Sequence, residues 1–382
     1  MGIFISLSKD SCGIEDGACF DGIKFHKAHA PDSWWLETEI STPRNLHDVM
    51  PLFGHTVPQI VSQQLRDSYS ALTQSDVPWI RAIGKERFLE KLKSAHSQVN
   101  KWLEDPGVEA YLSTLLLERE VLSLLQQTKI DAREFEKRRS SPSVESFAPN
   151  PSGFASPIRY SHLTSTGRLK VVEGPRILTI SKQDRRVIAS RFSDGRILQV
   201  DFVSLEPRVA LYSVGQDPGR DDVYEWIAKS VDPTLARSKV KVPTLSILYG
   251  QSARNDDPVS SSLRERIGKL FKVDELRGLS SKNGSIRNGY GRPLEDVEDR
   301  LKISHYVQST SVDVALLGFR NLLAGLGSHV GKGIVPIFVL HDALILDVSP
   351  ELYRMLKEHV ERGVDVEPLG HFPLSLGPIW DE

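Results

Sequence analysis

The apolar residues Ile197, Leu198 and Val200 are typical of a short buried strand, which leads directly to Asp201. Ser204 then offers a side-chain oxygen as an N-cap, and Pro207 falls in the first turn of a predicted helix, where a missing N–H costs nothing. The pattern therefore predicts a strand that ends at Asp201 and a helix whose first turn carries Glu206. Taken alone, such an aspartate is either a capping or ion-paired residue or a metal ligand.

A second apolar pattern surrounds the dipeptide His341-Asp342. Ile334 to Leu340 on one side and Ala343 to Val348 on the other predict two strands joined by a tight turn. Asp342 would then stand on a strand that neighbours Asp201. Two aspartates on adjacent strands suit Mg²⁺, which takes a few carboxylates together with substrate phosphates and water. A pair of such ions would activate an attacking oxygen and stabilise the leaving one.

A helical stripe forms the third pattern. Arg237, Lys241, Leu245 and Tyr249 recur every four residues, so on a helix they lie along one face that is cationic at one end and apolar at the other. Such a stripe suits a triphosphate with its base beyond it, and the alternative is a solvated basic edge on a core helix. Pro243 predicts a kink in this helix, because its ring clashes with the carbonyl four residues before it.

The rest of the chain is less informative. Between residues 81 and 137, apolar side chains at spacings of three, four and seven predict two antiparallel amphipathic helices with a break at Pro106-Gly107. Residues 138–160 are rich in Ser and Pro and are predicted to be a linker. Residues 1–80 indicate a small mixed α/β region of unknown role. Glu37-Thr-Glu39 faintly resembles the carboxylate pair of a proofreading exonuclease, but too little chain follows to build that domain.

Composition and charge restrict the class of protein but do not indicate a function. The chain has 382 residues, enough for two or three domains, and its net charge of −2 carries no global nucleic-acid signature. Enzymes of this size often confine their basic surface to one cleft. The apolar runs are too short to span a bilayer, and the first residues lack the basic start of a secretory signal. Cys12 and Cys19 are the only cysteines, too few for a disulfide framework, which favours a cytoplasmic protein.

From Thr164 to the C terminus, the motifs resemble those of the family A DNA polymerases, the DNA polymerase I group. The family's motif A (D-Y-S-Q-I-E-L-R) matches Asp201–Arg208, its motif B (R-x-x-x-K-x-x-x-F/Y-G-x-x-Y-G) matches Arg237–Gly250, and its motif C (H-D-E) matches His341–Ala343. Smaller landmarks follow the same order along the chain: Thr166–Leu169 (T-G-R-L), Asp222–Tyr224 (D-I-H), Gly291-Arg292 (G-R) and Gln308–Asp313 (Q-G-T-A-A-D).

The resemblance implies an active site with two Mg²⁺ ions, for which Mn²⁺ is a substitute. Asp201, Asp342 and the backbone carbonyl of Phe202 would hold them. Lys241 would be catalytic as the proton donor to pyrophosphate, and Arg237 and Lys241 would bind the triphosphate.

The resemblance also assigns the remaining contacts. Leu245 and Tyr249 would pack on the incoming base. Glu206 would fill the space of a ribose 2′-OH and so select deoxynucleotides; its simpler alternative is a helix cap or a partner of Arg208. Minor-groove acceptors occur in every correct base pair, so contacts there check pair geometry without reading sequence. The residues assigned to primer and template are Arg168, Arg292, Arg300, Gln308 and His341.

Several positions depart from the family pattern. Ala343 replaces the third acidic residue of motif C, and Leu245 replaces the aromatic residue of motif B. Ser246 replaces a glycine, Pro243 enters the helix, and Ser304 stands where the family has asparagine. The resemblance therefore points to a minimal, divergent member without an exonuclease domain.

The implied fold is α/β (α+β), a right-hand polymerase with an antiparallel-sheet palm, helical fingers and a reduced helical thumb. The palm would occupy residues 161–382, with fingers inserted at about 215–300 and the thumb at 81–137. The implied function is template-directed addition of dNTPs to the 3′ end of a primer on DNA, with a processivity or replication-initiation partner left open and no membrane.

Three alternatives stay open from the residues. One is a single-subunit RNA polymerase or reverse transcriptase of related fold, against which Glu206 argues. Another is a polymerase-like nucleic-acid-binding protein that has lost catalysis, against which the retained Asp201, Asp342, Arg237 and Lys241 argue. The third is a Mg²⁺ phosphohydrolase, for which the sequence offers no evident general-base cluster.

Overall fold

The computed structural model describes residues 3–7, 18–26, 34–36, 46, 49–60, 62–73, 83–250, 258–279, 286–295 and 297–380. Cys12, Glu37 and Glu39 lie outside these residues. Within them the chain forms two compact units, Met1–Arg119 and Glu120–Glu382. In this part of the chain, no helix combines the length and the apolar character that crossing a membrane requires.

The first unit combines a small sheet with helices. The sheet has the order β3-β2-β1-β4, in which β1 pairs with β2 in antiparallel and with β4 in parallel orientation. Its elements are β1 (Ile3–Leu7), β2 (Ala18–Phe20), β3 (Phe25–His26), β4 (Trp34–Leu36), α1 (Gln63–Thr73), α2 (Lys85–Leu103) and most of α3 (Pro106–Ser123). The predicted mixed α/β character of residues 1–80 is confirmed.

The two helices predicted between residues 81 and 137 are present as α2 and α3. The predicted break between them is confirmed, since α2 ends at Leu103 and Pro106 opens α3, where the first turn has no use for its missing N–H. Buried residues at helical spacing on α2, such as Phe88 and Leu92, share one core with Ile5 and Phe20 of the sheet. Up to Arg119, the region predicted as a separate thumb-like domain therefore belongs to the same unit as residues 1–80.

A four-stranded antiparallel sheet is the centre of the second unit. Its strands are β9 (Arg196–Phe202), β10 (Ile334–Leu340), β11 (Ala343–Val348) and β14 (Leu374–Pro378), in the order β10-β11-β9-β14. All residues of β10 and β11 are buried, as their continuous apolar character predicts. The mixed α/β class, with an antiparallel sheet, is confirmed.

Helices and three two-stranded antiparallel sheets complete the second unit. The helices are α4 (Ala132–Arg138), α5 (Pro142–Glu145), α6 (Leu205–Ser213), α7 (Val223–Val231), α8 (Arg237–Leu248), α9 (Pro258–Leu270), α10 (Val273–Leu279), α11 (Asp299–Leu326) and α12 (Tyr353–Arg362). The short strands are β5 (Lys129–Ile130), β6 (Arg159–Ser161), β7 (Lys170–Glu173), β8 (Ile188–Ala189), β12 (Val364–Val366) and β13 (Gly370–Phe372).

The long helix α11 packs closely against the central sheet through a glycine. The rings of Phe202 on β9 and Phe319 on α11 lie 5.3 Å apart. A Cβ added to Gly318 would lie 2.5 Å from the ring of Phe202, so any side chain there would push the helix away from the strand. Gly318 therefore sets the approach of α11 to the strand that carries Asp201.

Residues 138–160, predicted as a linker, instead belong to the folded second unit. Val144, Phe147 and Ala155 are fully buried in one core with residues of β10 and β11. Serine and proline here build local structure, because Pro142 opens α5 and Ser146 Oγ accepts a hydrogen bond from the N–H of Arg176. Composition alone does not separate these turn residues from a flexible linker.

Candidate active site

Two aspartates meet at one end of the central sheet. Asp201 lies near the end of β9, opposite Ala343 at the start of β11, and Asp342 immediately precedes Ala343 in the turn from β10. The N–H of Phe202 donates to the main-chain oxygen of Asp342 over 3.4 Å. His341 takes a φ of +58°, a backbone region that residues other than glycine rarely adopt and that closes this tight turn. The predicted hairpin is confirmed, but Asp342 lies in its turn, one residue before the strand on which it was predicted.

Asp201 sits in an environment that disfavours its charge. Burial raises the pKa of Asp201, and the neighbouring charge of Asp342 raises it further. The amide of Gln199, two residues earlier on the same strand face, donates to Asp201 Oδ2 at 2.5 Å and acts in the opposite direction, as do Arg185 and Lys182. A nearby cation would therefore stabilise the charged form of Asp201.

Gln199, Lys182 and Arg185 are the site residues that the sequence analysis missed. Gln199 could have been found, because residues two apart on a strand point to the same face. Lys182 and Arg185 belong to a basic segment that lies beside Asp201 only because the chain folds back onto the sheet, so the sequence does not reveal their proximity. Arg185 also donates a hydrogen bond to the main-chain oxygen of Ile379 over 3.4 Å.

The residues fit a metal ion only together with a substrate. Among the described residues, no group of three or more His, Cys, Asp or Glu side chains could form a metal cage. Asp201 and Asp342 supply two carboxylates, and Ala343 contributes none. Such a sparse set suits Mg²⁺, which keeps several waters and takes further oxygens from substrate phosphates.

Glu206 lies in the first turn of α6 and is held from two sides. Its carboxylate accepts hydrogen bonds from Arg168 Nη2 at 3.0 Å and from the hydroxyl of Tyr249. Burial raises the pKa of Tyr249, and the hydrogen bond to Glu206 raises it further, so the hydroxyl stays a donor. Glu206 is only 17% exposed, and the Arg168 guanidinium balances its charge.

Two local expectations around Glu206 are corrected. Ser204 makes no side-chain cap, because it enters the helix with a left-handed φ of +55° instead of the extended backbone that an N-cap needs. Arg208 does not pair with Glu206. It is fully buried and donates to the main-chain oxygens of Val203 at 3.1 Å, Gly219 at 2.6 Å and Asp221.

Helix α8 carries the predicted cationic stripe, and it continues through Pro243. Arg237 donates from Nε and Nη2 to Asp222 Oδ2, at 3.0 and 2.9 Å. The ring of Tyr224 lies beneath both cations, with its centroid 5.4 Å from Arg237 Cζ and 5.8 Å from Lys241 Nζ. Asp222 also caps α7 by accepting from the N–H groups of Tyr224 and Glu225. The two cations are thus oriented before any anion arrives.

Five of the predicted site residues line one cavity of about 80 Å³. Leu205 and Leu316 line it with apolar side chains. Gln308 Nε2 donates a hydrogen bond to Ser304 Oγ at 3.1 Å. The five predicted residues are Arg168, Glu206, Gln308, His341 and Asp342.

Arg300 does not line this cavity. Its side chain is 66% exposed and binds Glu298 at 2.6 Å. Its main chain packs against Gly250 at the end of α8, where an added Cβ would lie 2.0 Å from the Arg300 carbonyl oxygen. The structure therefore places the Arg300 main chain, but not its guanidinium, next to a site element.

The predicted contact of Arg292 with primer or template is corrected. Its side chain is 1% exposed, and its Nη2 donates to Asp313 Oδ1 at 2.6 Å within a buried pair that Asn288 also joins. Gly167, with a φ of +71°, lies against this guanidinium, and an added Cβ would lie 2.7 Å from its Cζ. Arg292 therefore supports the turn that carries Arg168, since a fully buried guanidinium cannot reach DNA.

Comparison with known proteins identifies no family and shows a low similarity to a solved structure. No family model matches the chain, and no curated protein matches it. Among solved structures, the chain is similar to the POL domain of Pol1 from M. smegmatis in complex with DNA primer-template and dNTP, with 16% sequence identity and a TM-score of 0.45. The similarity covers 86% of this chain and 61% of that chain. A TM-score this low carries no functional argument.

Proposed function

We propose that the chain is a template-directed DNA polymerase that adds dNTPs to the 3′ end of a primer by nucleotidyl transfer. The observation that supports this most strongly is the adjacency of Asp201 and Asp342 at the end of β9 and β11, beside the cavity that Glu206 lines. The exposed cations of α8 supply a second, independent feature that suits a polyphosphate.

The metal ligands in this proposal are Asp201, Asp342 and the backbone carbonyl of Phe202. Mg²⁺ or Mn²⁺ bound there would supply an activated attacking oxygen and a stabilised leaving group. The raised pKa of Asp201 agrees with this assignment, because a site that disfavours two carboxylate charges gains from a divalent cation.

Arg237 and Lys241 would bind the triphosphate. Asp222 and Tyr224 hold both side chains on one side, which lowers the entropy lost when the phosphates are bound. Lys241 would donate a proton to the leaving pyrophosphate. Leu245 would contact the incoming base in place of an aromatic ring.

Glu206 would exclude a ribose 2′-OH. Arg168 and Tyr249 fix its carboxylate from two directions, so its position does not depend on a flexible rotamer. A polar group placed rigidly at the sugar discriminates strongly, because an added hydroxyl would either collide or remain badly paired. Gln308 and His341, on the same cavity, would contact the primer end.

In the proposed arrangement, the central sheet is the palm and α7–α10 belong to the fingers. The proposal includes no proofreading exonuclease. The direct test is extension of a labelled hairpin primer–template with each dNTP and each NTP in Mg²⁺. We expect template-directed addition of dNTPs. Addition of NTPs alone would support an RNA polymerase instead, and no addition of either nucleotide, despite hairpin binding, would support the inactive nucleic-acid-binding protein.

A further inference from the structure

A second cavity, of about 610 Å³, opens at the opposite end of β9 from the aspartates. Arg186, Arg196, Tyr353 and Trp380 line it, together with the edge strand residues Leu376–Pro378. Arg196 begins β9 and Asp201 follows five residues later, a separation of about 16 Å at the rise of an extended strand. This cavity is therefore separate from the candidate active site.

The Arg196 side chain is positioned to bind an anion. Its guanidinium stacks on the ring of Tyr353, with Cζ 4.6 Å from the centroid. Among the described residues, no carboxylate forms an ion pair with it. Asp131 is the acidic residue of the lining, and its carboxylate already accepts from the N–H groups of Arg133 and Glu134 as the cap of α4. The stacked guanidinium leaves its N–H edge available to an oxyanion.

The other walls suit a nucleobase. Trp380 packs partly against the core of the second unit and also lines the cavity, and every base has a flat face that stacks on an indole ring. The volume lies within the range of about 300–1,000 Å³ that small ligands occupy. Two arginines and the main chain of a strand edge favour a phosphate-bearing ligand over an apolar helix or peptide.

We propose that this cavity binds a nucleotide unit of single-stranded nucleic acid, with its base on Trp380 and its backbone phosphates on Arg196 and Arg186. Both arginines are on the surface, so a strand can continue past the cavity at either side. A site for a free nucleotide would instead enclose the phosphate. This inference does not depend on the polymerase proposal, because it uses none of the residues of that site.

The test measures fluorescence anisotropy of a labelled dT8 oligonucleotide with the full chain, in the presence and absence of an excess of unlabelled hairpin primer–template. We expect saturable binding in both cases. Arg196→Gln should weaken it by about tenfold and lower the slope of log K against log salt by about 0.7, the value for one phosphate contact on a single strand. Arg354→Gln is the control, since Arg354 adjoins Tyr353 but is 91% exposed and paired with Glu358.

Gly377→Glu gives a second variant that leaves both arginines in place. A Cβ at Gly377 meets no atom within 4 Å, so the strand tolerates the side chain, and its charge would repel phosphate. We expect loss of dT8 binding with an unchanged circular dichroism spectrum. Binding that is unaffected by either variant would overturn the proposal. Displacement of dT8 by dTMP at equal concentration would overturn the assignment to a strand. Loss of hairpin extension with dT8 binding intact would count only against the polymerase proposal.

Discussion

In the proposed function, Glu206 is the residue that selects deoxynucleotides over ribonucleotides. Arg168 and Tyr249 bind its two carboxylate oxygens, so it is neither a simple helix cap nor a partner of Arg208. The geometry gives it a fixed position on the same cavity as Asp342. The role proposed for it in sugar selection therefore depends on two neighbours, Arg168 and Tyr249, that the sequence of the helix alone does not reveal.

Glu206→Ala should lower the ratio of kcat/KM for a dNTP to that for the matching NTP. We expect a fall of about 10²–10³-fold, because a polar misfit at a rigid site costs several kcal/mol. The measurement uses one primer–template, and Glu225→Ala, on the exposed side of α7, is the control. A mutation that depresses both activities equally and leaves the ratio unchanged would mean that Glu206 only stabilises the fold.

The raised pKa of Asp201 predicts how the stability of the fold depends on pH. Its pKa is raised in the folded state, mainly by burial, so the native state holds its proton to higher pH than the unfolded chain does. Stability contributed by this group is therefore lost as the pH rises from the ordinary carboxyl pKa of about 3.9 to the raised folded value. Without metal at pH 7, which is above the unfolded carboxyl pKa, this upward shift disfavours the folded state.

Asp201→Asn should accordingly raise the Tm by a few degrees in EDTA at pH 7. The gain should shrink as the pH falls, because the wild-type carboxyl then takes up a proton and also becomes neutral. Added Mg²⁺ should stabilise wild type and not the variant. Asp274→Asn, at a 98% exposed position, is the control. An equal gain at every pH would contradict an electrostatic origin.

Among the elements, strand β9, which carries Asp201, and the hairpin at Asp342 could be predicted because their signals are local. Apolar runs and turn residues determine both. The burial of Arg292 could not, because its partner Asp313 is 21 residues away on another element. A buried arginine and a DNA-binding arginine look alike in sequence, and only packing distinguishes them.

Helix α8 gives a prediction about the cations. Asp222→Asn keeps the cap of α7, since asparagine also caps well, but removes the charge that holds Arg237. The KM for dNTP should rise about 2–5-fold with little change in kcat, in line with the size of partly exposed ion pairs. Asp232→Asn, which alters a similar pair with Arg266, is the matched control. A lower KM would mean that Asp222 competes with the phosphates.

The turn that carries Arg168 gives a prediction about stability. Gly167→Ala adds both a strained left-handed residue and a clash with the buried Arg292 guanidinium. Gly153→Ala adds the strain alone, because its Cβ meets nothing within 4 Å. We expect a loss of about 1–2 kcal/mol in the free energy of unfolding for Gly153→Ala and a larger loss for Gly167→Ala. Equal losses by urea titration would contradict the supporting role of Arg292.

At the scale of the whole molecule, composition was least informative. The Ser- and Pro-rich segment 138–160 has the composition of a linker, yet Val144 and Phe147 lie in the core of the second unit. The division of the chain falls at Arg119/Glu120, within a continuous helix that shows no change of composition there. Such boundaries depend on long-range contacts, which neither periodicity nor composition records.

In the proposed function, Asp201 and Asp342 are the two carboxylates of a nucleotidyl-transfer site. The most direct measurement is single-turnover extension of a hairpin primer–template by Asp201→Ala and Asp342→Ala, with hairpin binding followed in parallel by anisotropy and Asp274→Ala as the control. We predict that each variant loses more than about 10³-fold in rate, because bound metal contributes several kcal/mol. Binding should change little, since affinity comes from basic contacts to phosphate. Extension within about tenfold of wild type in either variant would contradict the claim.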